Sequence, residues 1–510
     1  MIAMAKKRED REKGKKTRAD AKRDLDAEFK SPIRSFSDLS PANIREALSG
    51  SRYLQILLSL TVIGAILRFY NLGFNSLWLD EATTRNIALR SLPDIWQTTT
   101  GGEFNPPLFY WVEHFMLTLG NSEVILRFVP ALLGILTIPL VYCIGREFMD
   151  RNTGILAAAA VAFSPFLIYY SQEARAYAMM LFFVALSMVF YLKALKSNDL
   201  VNWGMFGLFS ALAFWSHFYA LVITGALFLY ALYDLFPRIR NNPVAAKPLV
   251  CSGAIFAIVG LPLILVTVQL FAKRSASAPT FGIQGPGLII ATFSQISGSD
   301  LAMYFLGILF LAGIVQAFLI DRNKGIFLVT LMVMTFVISD VLSYKIPMQP
   351  RYLIFLAIVY FIAIALCYRP LYALIRSPGV VYGFMALLIV INALMLVPYY
   401  STYSKEDWRG FAGGLAQLTR PGDFVVVVPG YVSQPLDYYY SNATDRTIEV
   451  GADNGTQLAE INAGRNNNTV FYVVTGDISA ANPGGDAIAW LENNTKSRGS
   501  TTGIYLLTSG

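Results

Sequence analysis

The stretch Phe74–Gly120, FNSLWLDEATTRNIALRSLPDIWQTTTGGEFNPPLFYWVEHFMLTLG, gathers Asp80, Glu81, Asp94, Glu103 and Glu113 in a chain that is otherwise largely apolar. The paired carboxylates Asp80-Glu81 stand behind Leu77-Trp78-Leu79 near its start. Toward its end, Asn105-Pro106-Pro107 stops one helix and restarts another at Leu108, because proline cannot continue a helix but suits a first turn. From Leu108 to Leu119 the apolar Leu108, Trp111, Val112, Phe115 and Leu119 share a face, while Glu113, His114 and Thr118 fall largely elsewhere. A segment of about twelve residues is too short for a bilayer that needs ~20, so it is expected to lie in the membrane interface.

Outward from this stretch the chain reads as membrane. With 55% hydrophobic and 15% charged residues over 510 positions, it could not hide its apolar surface as a soluble fold. Apolar runs near 53–70, 124–146, 153–170, 177–195, 200–217, 218–236, 248–271, 301–320, 326–343, 352–368 and 379–397 predict an all-α polytopic domain, 53–397, of eleven spans. Residues 1–52 hold 14 Lys/Arg against nine Asp/Glu, which is +5 of the +7 net charge. Such a tail has too few apolar residues to fold alone, and its cations favour the cytoplasm and anionic headgroups. Without a folded basic domain, no nucleic-acid partner is expected. With the tail inside, the inner connections carry Arg146/Arg151, Lys193/Lys196, Arg238/Arg240/Lys247, Arg322/Lys324 and Arg369/Arg376, the positive-inside pattern. A multi-pass plasma-membrane protein follows, with the first outer loop at 71–123 and the C-terminus outside. The run at 54 follows a long charged tail and lacks a cleavage site, so no cleaved signal is expected. Cys143, Cys251 and Cys367 lie in or beside apolar runs and point to packing rather than a disulfide framework.

From Pro398 the composition turns to Asn, Gly, Asp and Thr. Short β-type runs at Phe424–Val428, Val470–Val474 and Ile504–Leu507 alternate with helix-like stretches near Lys405–Leu418, Gln457–Asn462 and Asp486–Glu492, predicting an extracytoplasmic α/β domain at 398–510. Sequons stand at Asn442, Asn454, Asn467 and Asn493.

The order of WLDEA at Trp78–Ala82, EFNPPLFYW at Glu103–Trp111, the arginine-bearing run Val124–Gly145, YYSQEARAYAM at Tyr169–Met179 and SHFYAL at Ser216–Leu221 resembles the GT-C glycosyltransferases that use polyprenyl-phosphate sugars. Within them it is most similar to the family 39 protein mannosyltransferases and the lipid A aminoarabinose transferases, over roughly 54–400. The resemblance implies inverting transfer of a sugar from a lipid phosphate to a hydroxyl of a protein, glycan or lipid acceptor. It aligns the Asp80-Glu81 pair with the family's Asp-Glu pair, whose aspartate is held to be catalytic. Asn105 stands where the aminoarabinose transferases have a lysine, which departs from the phosphate role of that loop.

The residues supply the chemistry such transfer needs: a base, stabilisation of an oxocarbenium-like centre, and cations for the departing phosphate. Asp80 is the candidate base, with Glu81 orienting a neighbour or pairing with an outer arginine; simple capping of a helix starting near Ala82 is the structural alternative. The positive-inside rule disfavours outer cations, so Arg127, Arg175, Lys273, Arg274, Lys345 and Arg351 need a reason such as an anionic ligand. Arg351 in MQPRYL is the foremost phosphate candidate, since a guanidinium can bind bidentately, with Lys273 and Arg274 next; headgroup anchoring is the alternative for each. Glu103 precedes the prolines. Glu173 and Arg175 read either as a lid pair or as a local ion pair. His217, beside Tyr219, reads as a charged phosphate donor or as a hydrogen-bonded histidine at a helix end. Tyr53, Trp78, Tyr169, Tyr170, Tyr399 and Tyr400 are expected in an aromatic belt. No His/Cys metal spacing occurs, and transfer without a cofactor or metal is expected. A lipid or sugar transporter is the rival reading, although transporters place ionisable residues near mid-span and here most charges lie at span ends.

Overall fold

The computed structural model describes residues 40–103, 105–276, 279, 281–440, 447–465 and 467–509. Residues 1–39 of the expected tail and the sequon at Asn442 lie outside the described residues; within the tail, Pro41–Gly50 is a helix. The chain divides into two compact units, Met1–Val62 and Ile63–Gly510; apart from the count of apolar helices, in which Arg52–Phe69 begins in the first unit, everything below concerns the second.

Among the described residues nine helices are long and apolar enough to cross a membrane, and a tenth span results if Arg151–Phe163 and Pro165–Ser171, bent by 59°, count as one. The chain is a multi-pass membrane protein. The difference from eleven rests on Leu200–Ser216, apolar but 17 residues long, which at 1.5 Å per residue reaches only about 25 Å of a ~30 Å hydrocarbon core. The bend has a local cause. Pro165 offers no amide to the Val161 carbonyl, and the buried Arg68 donates to the carbonyls of Val161 and Ala162, both at 3.1 Å. The helix Glu123–Phe148 meets its successor where a Cβ on Gly145 would stand 2.6 Å from the Gly154 Cα, an approach only glycine permits.

The first loop folds into three short helices, Leu79–Ala88, Leu92–Gly101 and Pro107–Met116. Ser91 caps the second by accepting from the Asp94 amide, and Pro107 opens the third. That third helix turns Phe109, Tyr110 and Glu113 inward and leaves Phe115 exposed, so the face it buries is not the Leu108, Trp111, Val112, Phe115 and Leu119 face expected from the sequence.

In the C-terminal domain five strands, β1 (Phe424–Val428), β2 (Ile448–Gly451), β3 (Val470–Thr475), β4 (Thr495–Thr501) and β5 (Ile504–Ser509), form one sheet in the order β2-β1-β3-β5-β4. β1 is parallel to β2 and β3, while β5 is antiparallel to β3 and β4. Alternation along β1 sends Val425 and Val427 to one face with Trp408, Phe411 and Leu436, and Val426 and Val428 to the other with Leu458 and Leu491. Leu79 of the first loop packs against the first of these clusters. Leu77 joins Leu126 and Ala174 in a separate one.

Candidate active site

Because Leu77 and Leu79 are anchored in different clusters, the chain between and after them is fixed, and the two carboxylates leave the first turn of Leu79–Ala88 in different directions. Glu81 points inward. Its carboxylate takes a two-pronged bond from Arg127, at 2.8 and 2.6 Å, and accepts from the Ala174 amide at 2.8 Å. Lys405 Nζ lies 3.1 Å from the same group. Burial would raise this carboxyl, but Arg127 and Lys405 outweigh it and hold the pKa down to about 2. The remaining Arg127 donors close on the carbonyls of Leu72, Asn75 and Ser76, so the outer cation noted in the sequence has a structural reason.

Asp80 is about a quarter exposed, and its Oδ2 lies 3.8 Å from Arg175 Nε and 3.7 Å from Arg351 Nη2. Arg175 also donates to the Asp80 carbonyl and to Thr84 Oγ1. Arg351, on the Pro350–Leu353 turn, lies over the rings of Trp78, Tyr177 and Tyr352 at 5.5 to 5.8 Å, and its buried Nε has no hydrogen-bond partner. Trp78 also faces Lys405, at 5.6 Å, as Tyr169 does at 5.5 Å, so both rings contact a cation of the site.

Glu173 and Arg175 do not pair with each other through their side chains: Arg175 turns to Asp80, and Glu173, fully buried, lies 3.4 Å from Lys405. His217 occupies an aromatic box, its ring 5.4 to 5.5 Å from Tyr177, Tyr219 and Tyr352. Its Nδ1 accepts from the Tyr219 amide, and burial, with Arg175 and Arg351 nearby, pushes its pKa down to about 3. The charged donor expected here is therefore a neutral ring.

Tyr219 stacks on Tyr352 at 4.9 Å and donates to the Pro347 carbonyl. Tyr219 also lines a cavity of about 360 Å³, walled by Val222, Val268, Phe271 and Leu342, with Glu103, Thr267 and Arg274 among its polar lining. Arg274 donates to the Gly102 carbonyl, and Glu103 accepts from Tyr110 at 3.1 Å and Asn105 at 3.4 Å. Lys273 faces outward, away from this lining. The structure thus brings together Asp80, Glu81, Glu173, Arg175, His217, Tyr219 and Arg351, puts Glu103 and Arg274 in the cavity lining with Asn105 bonded to Glu103, and leaves Lys273 aside. Lys405 was not singled out in the sequence. Its signal was that of the other outer cations, a lone lysine just after the last apolar run.

This architecture is the GT-C membrane fold. The profile of the dolichyl-phosphate-mannose-protein mannosyltransferase family matches residues 105–265. ArnT from Cupriavidus metallidurans superposes with a TM-score of 0.56 at 12% identity, covering 90% of this chain and 98% of that one. Its complex with undecaprenyl phosphate gives 0.54 at 13%, covering 88% and 97%. The oligosaccharyltransferase AglB of Archaeoglobus fulgidus, in complex with an inhibitory peptide and a dolichol-phosphate, gives 0.51 at 14%, covering 91% and 75%. A protein of Aquifex aeolicus (strain VF5) is 28% identical over 147 residues, which is 27% of this chain and 30% of that protein's length.

Proposed function

We propose that this chain is an integral-membrane glycosyltransferase that moves a sugar from a polyprenyl phosphate to an acceptor hydroxyl at the extracytoplasmic face, with inversion. The observation that carries the reading is Asp80, partly exposed between Arg175 and Arg351, with Arg351 linked through the Tyr352–Tyr219 stack to a largely apolar cavity that has an arginine in its lining. Four cations, Arg127, Arg175, Arg351 and Lys405, surround three carboxylates, Asp80, Glu81 and Glu173. Four cations against three carboxylates leave an excess of positive charge for a phosphate. The isoprenoid tail fits the apolar wall near Val268 and Phe271, with Arg351 and Arg274 toward the phosphate. Asp80 takes the proton of the acceptor hydroxyl as its oxygen bonds to the anomeric carbon. The bond from that carbon to the phosphate oxygen breaks, and the phosphate keeps the electron pair beside the guanidiniums. The family match at 105–265 and the lipid phosphates bound by ArnT and AglB support the donor class. The cation pairs on the opposite connections support the side.

The purified protein, incubated with a panel of polyprenyl-phosphate sugars, is expected to release or transfer sugar from at least one; no turnover of any donor overturns the reading. A cysteine placed at Asp453, on the exposed surface of the C-terminal domain, is expected to react only with reagent added outside the cell.

A further inference from the structure

Lys405 does not belong to the membrane domain. The segment Ser404–Arg409 joins the last apolar helix to the C-terminal domain, and it is clamped at both of its sides. Toward the first loop, the Ser404 amide donates to Asn75 Oδ1 at 3.1 Å, Ser76 Oγ donates to Asp407 at 3.2 Å, and the Arg409 amide donates to Ser76 Oγ at 3.1 Å. Toward the sheet, the Asp407 amide donates to the Thr502 carbonyl, and Glu406 packs on Gly503 in the turn between β4 and β5. Gly503 has a φ of +78°, and a Cβ there would meet Glu406 Cγ at 2.8 Å. The side chain of the lysine between these clamps is 5% exposed, and its Nζ stands at ion-pair distance from both Glu81 and Glu173, 3.1 and 3.4 Å.

Each of those carboxylates belongs to a segment that carries a group of the transfer site, Glu81 next to Asp80 and Glu173 two residues before Arg175. Neither Glu173 oxygen has a hydrogen bond, so Lys405 is its near partner. A bare buried carboxylate must take a proton or swing toward water, and swinging would draw Arg175 away from Asp80. We propose that Lys405 is a positioning residue, delivered by the C-terminal domain, that locks the Glu173–Arg175 turn against Glu81 and so holds Arg175 on Asp80. The proposal rests on the transferase reading above and adds to it that the C-terminal domain completes the site.

In the full-length purified protein, Lys405→Met is expected to lower kcat about 10²-fold, the scale of a small misplacement of reacting groups, with little change in donor KM. Lys405→Met/Glu173→Gln is expected to recover most of the loss, because the neutral amide needs no cation. The charged groups facing Glu173 are Lys405, Glu81, Arg351 and Asp80. With Lys405 gone, the loss should shrink as pH falls and Glu173 takes a proton, a trend that simple loss of packing does not produce. A wild-type kcat in Lys405→Met, or a double variant no better than the single one at any pH, overturns the proposal while leaving the transferase reading intact. If the parent protein turns over no donor, that reading fails, and the same variants are compared by thermal unfolding in detergent. Lys405→Met is then expected to lower Tm and Glu173→Gln to restore it, and equal Tm values overturn the lock.

Discussion

Asp80 and Glu81 are neighbours in sequence with the same charge and nearly the same chemistry, yet their surroundings share almost nothing. Glu81 is fully buried and bonded on both oxygens by a guanidinium, a backbone amide and, at ion-pair distance, a lysine. Asp80 keeps a quarter of its side chain open and holds its two arginines at 3.7 and 3.8 Å, too long for hydrogen bonds. Saturated contacts fix geometry and leave nothing to give a substrate. Unsaturated ones leave oxygens and N–H groups free for it. Glu113 completes the contrast: it is buried with neither oxygen bonded, and burial pushes its carboxyl well above the usual range, so it holds a proton where Glu81 holds a charge.

The comparison can be broken at either carboxylate. The largest expected effect belongs to Glu81→Gln, which strips Arg127 of its counter-charge in a buried place and should cost about 3–5 kcal/mol, read as a drop in Tm together with lost activity. Asp80→Asn should do the reverse, lowering kcat about 10²-fold or more while Tm stays near the parent value; a variant that unfolds early would place Asp80 with the scaffold instead. Arg351→Lys keeps the charge but loses the fork, so it should retain part of the activity where Arg351→Ala retains very little, both with weaker donor binding in a lipid-phosphate titration. The smallest effect concerns an acid pair with no cation between its members. Burial, reinforced by Asp437, pushes Glu449 up to about 7 from an ordinary 4.5. A carboxyl whose value is raised in the fold contributes stability that is complete below about 4.5 and lost as pH rises through about 7. Thermal unfolding followed across that window should show a Tm falling with pH, and Glu449→Gln should flatten the slope.

Periodicity and composition alone indicated the helical membrane domain, the helix restarting after Pro106-Pro107 and the central strands of the C-terminal sheet, because burial on both faces writes continuous apolar runs such as Phe424–Val428. β2 and β4 stayed illegible for the same reason inverted. They are edge strands, one four residues long and one reading TKSRGST with its side chains mostly exposed, and neither carries an apolar signature. The charged residues of the first loop and of several span ends marked the neighbourhood of the candidate site, since carboxylates and guanidiniums in an apolar chain need partners. Which group partners which was beyond the sequence. Lys405 reaches Glu173 across 232 positions, and Arg351 reaches Asp80 across 271. Local pattern carries no record of such distances, so the division of labour between Asp80 and Glu81 was decided only when the C-terminal domain and the Pro350 turn closed over the first loop.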